Sequence, residues 1–118
     1  MAALEVQRDE MVVSLSPLER LAALRREVRV PLAALSSVEV DSAPWCAVRG
    51  IRVAGTGIPG VAVYGVRRMT GSAPDFAAMH GRGPAIRVEL APGASFARLL
   101  VTVADPEATA AALRACMG

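Results

Sequence analysis

Residues 86–90, Ile-Arg-Val-Glu-Leu, alternate apolar and charged side chains without a break, and a two-residue period buries one face only when the segment is a β-strand. Looser versions of the pattern recur at 11–15, 28–30, 35–41, 61–67, 76–80 and 96–103, separated by turn residues such as Thr70-Gly71-Ser72-Ala73-Pro74, Gly81-Arg82-Gly83-Pro84 and Pro92-Gly93. The chain is therefore expected to be mainly β. In the run 35–41, Val38 and Val40 should face inward and Glu39 and Asp41 outward. Strands joined by short turns imply an antiparallel meander. The segment 41–60 carries Pro44, Gly50, Gly55, Gly57, Pro59 and Gly60, so it reads as a long loop in which 51–53 pairs only briefly.

Two helices break the β pattern. Ser16, Pro17 and Glu19 spell a capped start for a short helix over 17–24, with Leu18, Leu21 and Ala22 on its core-facing side and Arg25 and Arg26 near the negative end of its dipole. Asp105 and Pro106 open a second helix over 106–117, where Thr109, Ala112, Leu113 and Cys116 should form the buried stripe. At 118 residues, with no internal repeat or linker-like stretch, residues 1–118 are expected to form one domain.

Composition excludes more than it assigns. Hydrophobic residues make up 53% of the chain, yet every apolar run is cut by Arg, Glu or Pro well short of the about 20 residues that a spanning helix needs. Residues 1–11 have no basic start followed by an apolar run, so no secretory leader is read and a cytoplasmic protein is expected. The net charge is only +2, with the signs interspersed and few aromatic rings, which argues against a nucleic-acid partner. All 13 basic residues are Arg, which fits the codon usage of a GC-rich bacterium. Cys46, Cys116 and His80 cannot assemble a four-ligand zinc site, and both cysteines are read as buried or half-buried thiols. Neither a metal nor a cofactor is expected.

The segments Leu-Ser-Pro-Leu-Glu-Arg at 15–20, Val-Pro-Leu-Ala-Ala-Leu-Ser-Ser-Val-Glu-Val at 30–40, Pro44-Trp45, Arg49-Gly50-Ile51-Arg52, Gly55 to Gly60, Arg82-Gly83-Pro84-Ala85 and the closing Val-Ala-Asp-Pro-Glu resemble the bacterial pleckstrin-homology-like domains of small actinobacterial proteins. That resemblance implies a seven-stranded antiparallel bent sandwich or partly open barrel capped by the last helix. It also implies a non-catalytic module that binds a protein partner or assembles with itself. Binding of a small molecule or an anionic lipid headgroup at the barrel mouth is the alternative it leaves, with contact at a membrane surface a lesser expectation.

Five residues are expected to form the contact surface: Trp45, Arg49 and Arg52 on the long loop, with Arg67 and Arg68 beyond it, since Trp and Arg are the side chains that most often anchor interfaces. Arg82 can extend the patch. Gly55-Thr56-Gly57-Ile58-Pro59-Gly60 matches G-x-G-x-x-G, but Pro59-Gly60 leads into an alternating run rather than a helix, so it reads as a β connection. His80 is the chain's one imidazole, and Asp75 stands nearby in sequence, but no catalytic spacing surrounds either. No catalytic residue is assigned. A hydrolase built on His80 is the remote alternative.

Overall fold

The computed structural model describes residues 2–24 and 27–117, with the backbone alone at 52–54, so Arg25 and Arg26 lie outside the described residues. Its mainly β architecture holds nine described strands in two sheets, where seven were expected from sequence. The first sheet is antiparallel, in the order β1 (Ala3–Gln7), β2 (Glu10–Ser14), β3 (Glu27–Pro31). Strand β1 was not anticipated. It hairpins onto β2 through Arg8, whose φ of 56° lies in the left-handed region.

The second sheet has six strands: β4 (Leu35–Asp41), β5 (Ile51–Ile58), β6 (Ala62–Arg68), β7 (Asp75–His80), β8 (Ala85–Leu90) and β9 (Arg98–Val101). Their order is β4-β8-β9-β7-β6-β5, so the expected meander is corrected at two places: β4 pairs with β8 at the edge opposite β5, and β7 and β8 are not neighbours. Strand β9 enters between β7 and β8 and runs parallel to β7. The linker 81–84 therefore spans two strand spacings, about 10 Å, instead of closing a tight hairpin. The expected loop 41–60 is also corrected: 44–47 forms a 3-10 turn and 51–58 is a full strand.

Alternation sorts the large sheet into two faces. Val38, Phe76, Ile86, Val88, Leu99 and Val101 point inward and meet Leu4, Met11, Val13, Val28 and Val30 of the small sheet in one core. Helix α2 (Pro106–Cys116) adds Ala110 and Leu113 to it. The expected stripe of α2 is thus off by a fraction of a turn, since Ala112 and Cys116 are exposed. Cys46 is exposed as well, so neither thiol is buried. Asp105 accepts from the Ala108 N–H at 3.1 Å and starts the helix as its sequence indicates.

Helix α1 (Pro17–Ala23) forms with the expected capping box: Glu19 N donates to Ser16 Oγ at 3.3 Å and Ser16 N to Glu19 Oε1 at 3.0 Å. Its orientation is the reverse of the one expected. Leu18 and Leu21 are 76% and 70% exposed, while Glu19 and Ala23 face the sheet. Polar chemistry decides this: Glu19 Oε1 accepts from Ser16 N, the carboxylate stands near enough to Tyr64 on β6 to act on its phenol, and Thr56 Oγ1 of β5 donates to Ala22 O at 3.0 Å. Burial would raise the Glu19 carboxyl, but the Ser16 hydrogen bonds outweigh it and hold the group below its ordinary range.

Burial first, and then the nearby Glu19 charge, push the Tyr64 phenol up to about 12 from its usual 10.0. A phenol whose folded pKa is raised contributes stability that is complete below the unfolded pKa and is lost as pH rises through the folded one. The Tyr64 contribution should therefore be complete to about pH 10 and be lost between about 10 and 12. Tyr64 is the chain's one tyrosine, so phenolate absorbance reads it alone. A folded-state midpoint near 10 would show that Tyr64 is not buried between the sheet and α1.

Candidate functional site

The outer face of the large sheet carries a polar row that crosses all six strands in register and is charged on five of them. Ser37, Glu89, Arg98, Asp75, Arg67 and Arg52 stand side by side on β4, β8, β9, β7, β6 and β5. Arg98 Nε lies 2.6 Å from Glu89 Oε1, and its Nη1 donates to Ala47 O at 3.0 Å. One row on, Arg87 meets Glu39 at 2.9 Å and Asp41 at 3.5 Å. Cross-strand pairs of opposite sign stabilise a sheet face that has no second layer over it.

The segment 42–50 crosses this face and is fastened to it at both ends. Arg49 Nε donates to Asp75 Oδ2 at 2.7 Å and Nη2 to Oδ1 at 3.2 Å, a two-pronged grip on a carboxylate that is 2% exposed. The bond to Asp75 raises the Arg49 guanidinium above the ordinary arginine range, against the opposite pull of burial. Arg67 Nε and Nη2 donate to Arg49 O at 3.0 Å and Gly50 O at 2.9 Å. Trp45, on the 3-10 turn, packs with Val48 over Val63, Ala77, Met79 and Leu100, and its Nε1 donates to Gly81 O at 2.7 Å.

A groove of about 470 Å³ remains beside Trp45, lined also by Val48, Ile58, Pro59, Val63 and Arg67. Its floor is open because β5 and β6 place Gly57, Gly55 and Gly65 at outer-face positions, where neighbouring strands carry side chains. At Gly55, with φ of 105°, an added Cβ would stand 1.9 Å from Tyr64 O. A second recess of about 310 Å³, lined by Trp45, Pro59, Gly60 and Arg82, adjoins the first. The two together make an apolar trough with Trp45 in common and arginines at Arg67 and Arg82.

Of the five residues expected to act together, the structure brings three into one cluster. Trp45, Arg49 and Arg67 meet through the 42–50 segment, but both arginines hold that segment in place, so they are positioning residues of the groove. Arg68 follows Arg67 on β6 and so belongs to the opposite face, exposed beside Ile51. Arg52 pairs in register with Arg67, and its side chain lies outside the described residues. Sequence reading placed the surface on the 44–60 loop, which holds Val48, Ile58 and Pro59, without singling them out, and it missed Arg98 and Glu89 as supports. The outward charges at 87, 89 and 98 were a usable signal once their strands were aligned.

The G-x-G-x-x-G segment lies in β5 and the turn to β6, with no helix after it. Asp75 and His80 stand at opposite ends of β7, roughly 17 Å apart along the strand, and on opposite faces. The Asp75 carboxylate already holds Arg49, and the strand keeps His80 out of its reach, so the two do not form a dyad. No described helix is long and apolar enough to cross a membrane. Compared with family models, curated proteins and solved structures, the chain matches none.

Proposed function

We propose that this chain is a non-catalytic binding module that receives an extended segment of a partner protein in the Trp45 trough. The observation that carries the reading is the trough itself: an indole anchored by its N–H beside a floor opened by glycines, with apolar walls and arginines at its ends. Clefts of this size, mostly apolar with a few placed polar groups, are where ligands bind. The pleckstrin-homology-like assignment goes with this proposal, supported by a mainly β chain that ends in a helix packed on its sheet. An anionic headgroup has less to recommend it, because Arg49 and Arg67 are already engaged by Asp75 and by loop carbonyls.

A phage-displayed peptide library tests the reading. Panning on the protein should enrich peptides with an aromatic or branched apolar residue next to Asp or Glu, and these should change the fluorescence of Trp45, the chain's one tryptophan. Trp45→Ala should lower their affinity by at least about 2 kcal/mol, the scale of an aromatic interface anchor. Equal recovery on the protein and on a folded Trp45→Ala variant would sink the proposal.

A further inference from the structure

Among the described residues, seven large apolar side chains are exposed, and six of them sit on α1 and the β5–β6 hairpin: Leu18, Leu21, Leu24, Ile51, Ile58 and Val61. Concentration in one region, instead of the usual scatter, marks a surface that is covered in use. Among the described residues, the same region also holds the one uncovered edge of the large sheet. Strand β5 pairs only with β6, whereas the opposite edge strand, β4, has α2 beside it and the Arg114 guanidinium on Val38 O at 2.8 Å. The edges of the small sheet carry Glu5 and Gln7 on β1 and Glu27 and Arg29 on β3, all exposed. Charged or covered edges resist pairing, and β5 has Arg52 alone.

We infer that β5 pairs antiparallel with β5 of a second copy of this chain, making a two-fold dimer whose sheet runs through both subunits. The register of β5 itself selects this occupant. Its bulge between Arg52 and Ala54 shifts the count by one, so Ile51, paired with Arg68, lies on the same face as Ile58, paired with Ala62. Helix α1 covers β5 and β6 from that face, with Thr56 Oγ1 on Ala22 O. Turned about a two-fold axis at Gly55, the strand sets Ile51 against Ile58 of the second copy at both ends. Arg52 then falls opposite Gly57 of the second copy, and the two arginines lie far apart. A parallel arrangement in the same register would place Arg52 beside Arg52 and remove the match of isoleucines. Such an isologous contact closes on itself and stops at two copies.

Ile58 borders both the Trp45 trough and this edge, but each reading has substitutions of its own, Trp45→Ala for the trough and Ile51→Lys or Leu21→Lys for the edge. Light scattering after size exclusion should give twice the chain mass, dissociating on dilution. Ile51→Lys and Leu21→Lys, both at exposed positions, should each raise the dimer dissociation constant by at least about tenfold while leaving the thermal melt of the monomer in place. Oxidative cross-linking then checks the register in a Cys46→Ser, Cys116→Ser background. Mixed Ile51→Cys and Ile58→Cys chains should link to each other, whereas Ile51→Cys alone, with its two sulfurs roughly 20 Å apart, should not link to itself. A monomer at every concentration, an oligomer above two, or a dimer indifferent to both lysines would overturn the inference.

Discussion

Phe76→Ala should lower the unfolding free energy by about 3–5 kcal/mol, a large share of the 5–15 kcal/mol typical of a domain this size. Phe76 is fully buried at the middle of the large sheet, and its ring meets Phe96 edge-on with centroids 6.0 Å apart. The loss therefore combines the transfer of a ring back to water, the cavity it leaves and the lost aromatic pair. Its backbone neighbours on both sides are paired, Val66 on β6 and Leu99 on β9, so the sheet has little freedom to collapse into the space. Urea unfolding followed by Trp45 fluorescence measures it. A change under about 1 kcal/mol would mean that Phe76 is not at the centre of the core.

Arg49→Ala should destabilise the fold by about 2–3 kcal/mol, more than a surface ion pair contributes, because it leaves the buried Asp75 carboxylate without its two-pronged partner. The Arg49 side chain is 39% exposed and Asp75 only 3%, so the penalty lies on the acid's side. Asp75→Asn should cost less, since an amide is cheaper to bury than a charge. Because the two groups touch, the double variant should fall short of the sum by about 1–2 kcal/mol. Additive effects in denaturant titrations would show that the pair is not coupled. The same Arg49 variant should also weaken peptide capture, since the 42–50 segment that holds Trp45 would lose one of its fastenings.

Much of the local structure was legible from residue order. The β4 strand at 35–41 has the bounds its alternation predicted, the Ser16 and Glu19 box caps α1, and Asp105 starts α2. What escaped the sequence was decided by partners far along the chain. Gly55 and Gly57 favour a loop by their own propensity, and they become strand because β6 offers a full ladder on one side. Periodicity in α1 names the residues that share a face but not which face is covered, and the helix is turned by the Glu19 bond to Ser16 and the Thr56 bond to Ala22 O. Ala110 was likewise hidden in a run of alanines that offers no preferred stripe. In the trough, Trp45 was recognisable by type, but the roles of Arg49 and Arg67 were not. Only the folded sheet brings Asp75 and the carbonyls of 49 and 50 within their reach.

The insertion of β9 between β7 and β8 also fixes an order of events during synthesis. Residues 75–80 and 85–90 emerge from a ribosome first, but the strand that joins them is made last, and until it arrives each presents an open edge at what will become the middle of the sheet. Pairing between distant segments is slow, and unpaired strand edges are where nascent chains associate wrongly. A chain cut before residue 98 would have β4 and β8 on one side and β5, β6 and β7 on the other with nothing between them. The large sheet can therefore close only once residue 101 has been made.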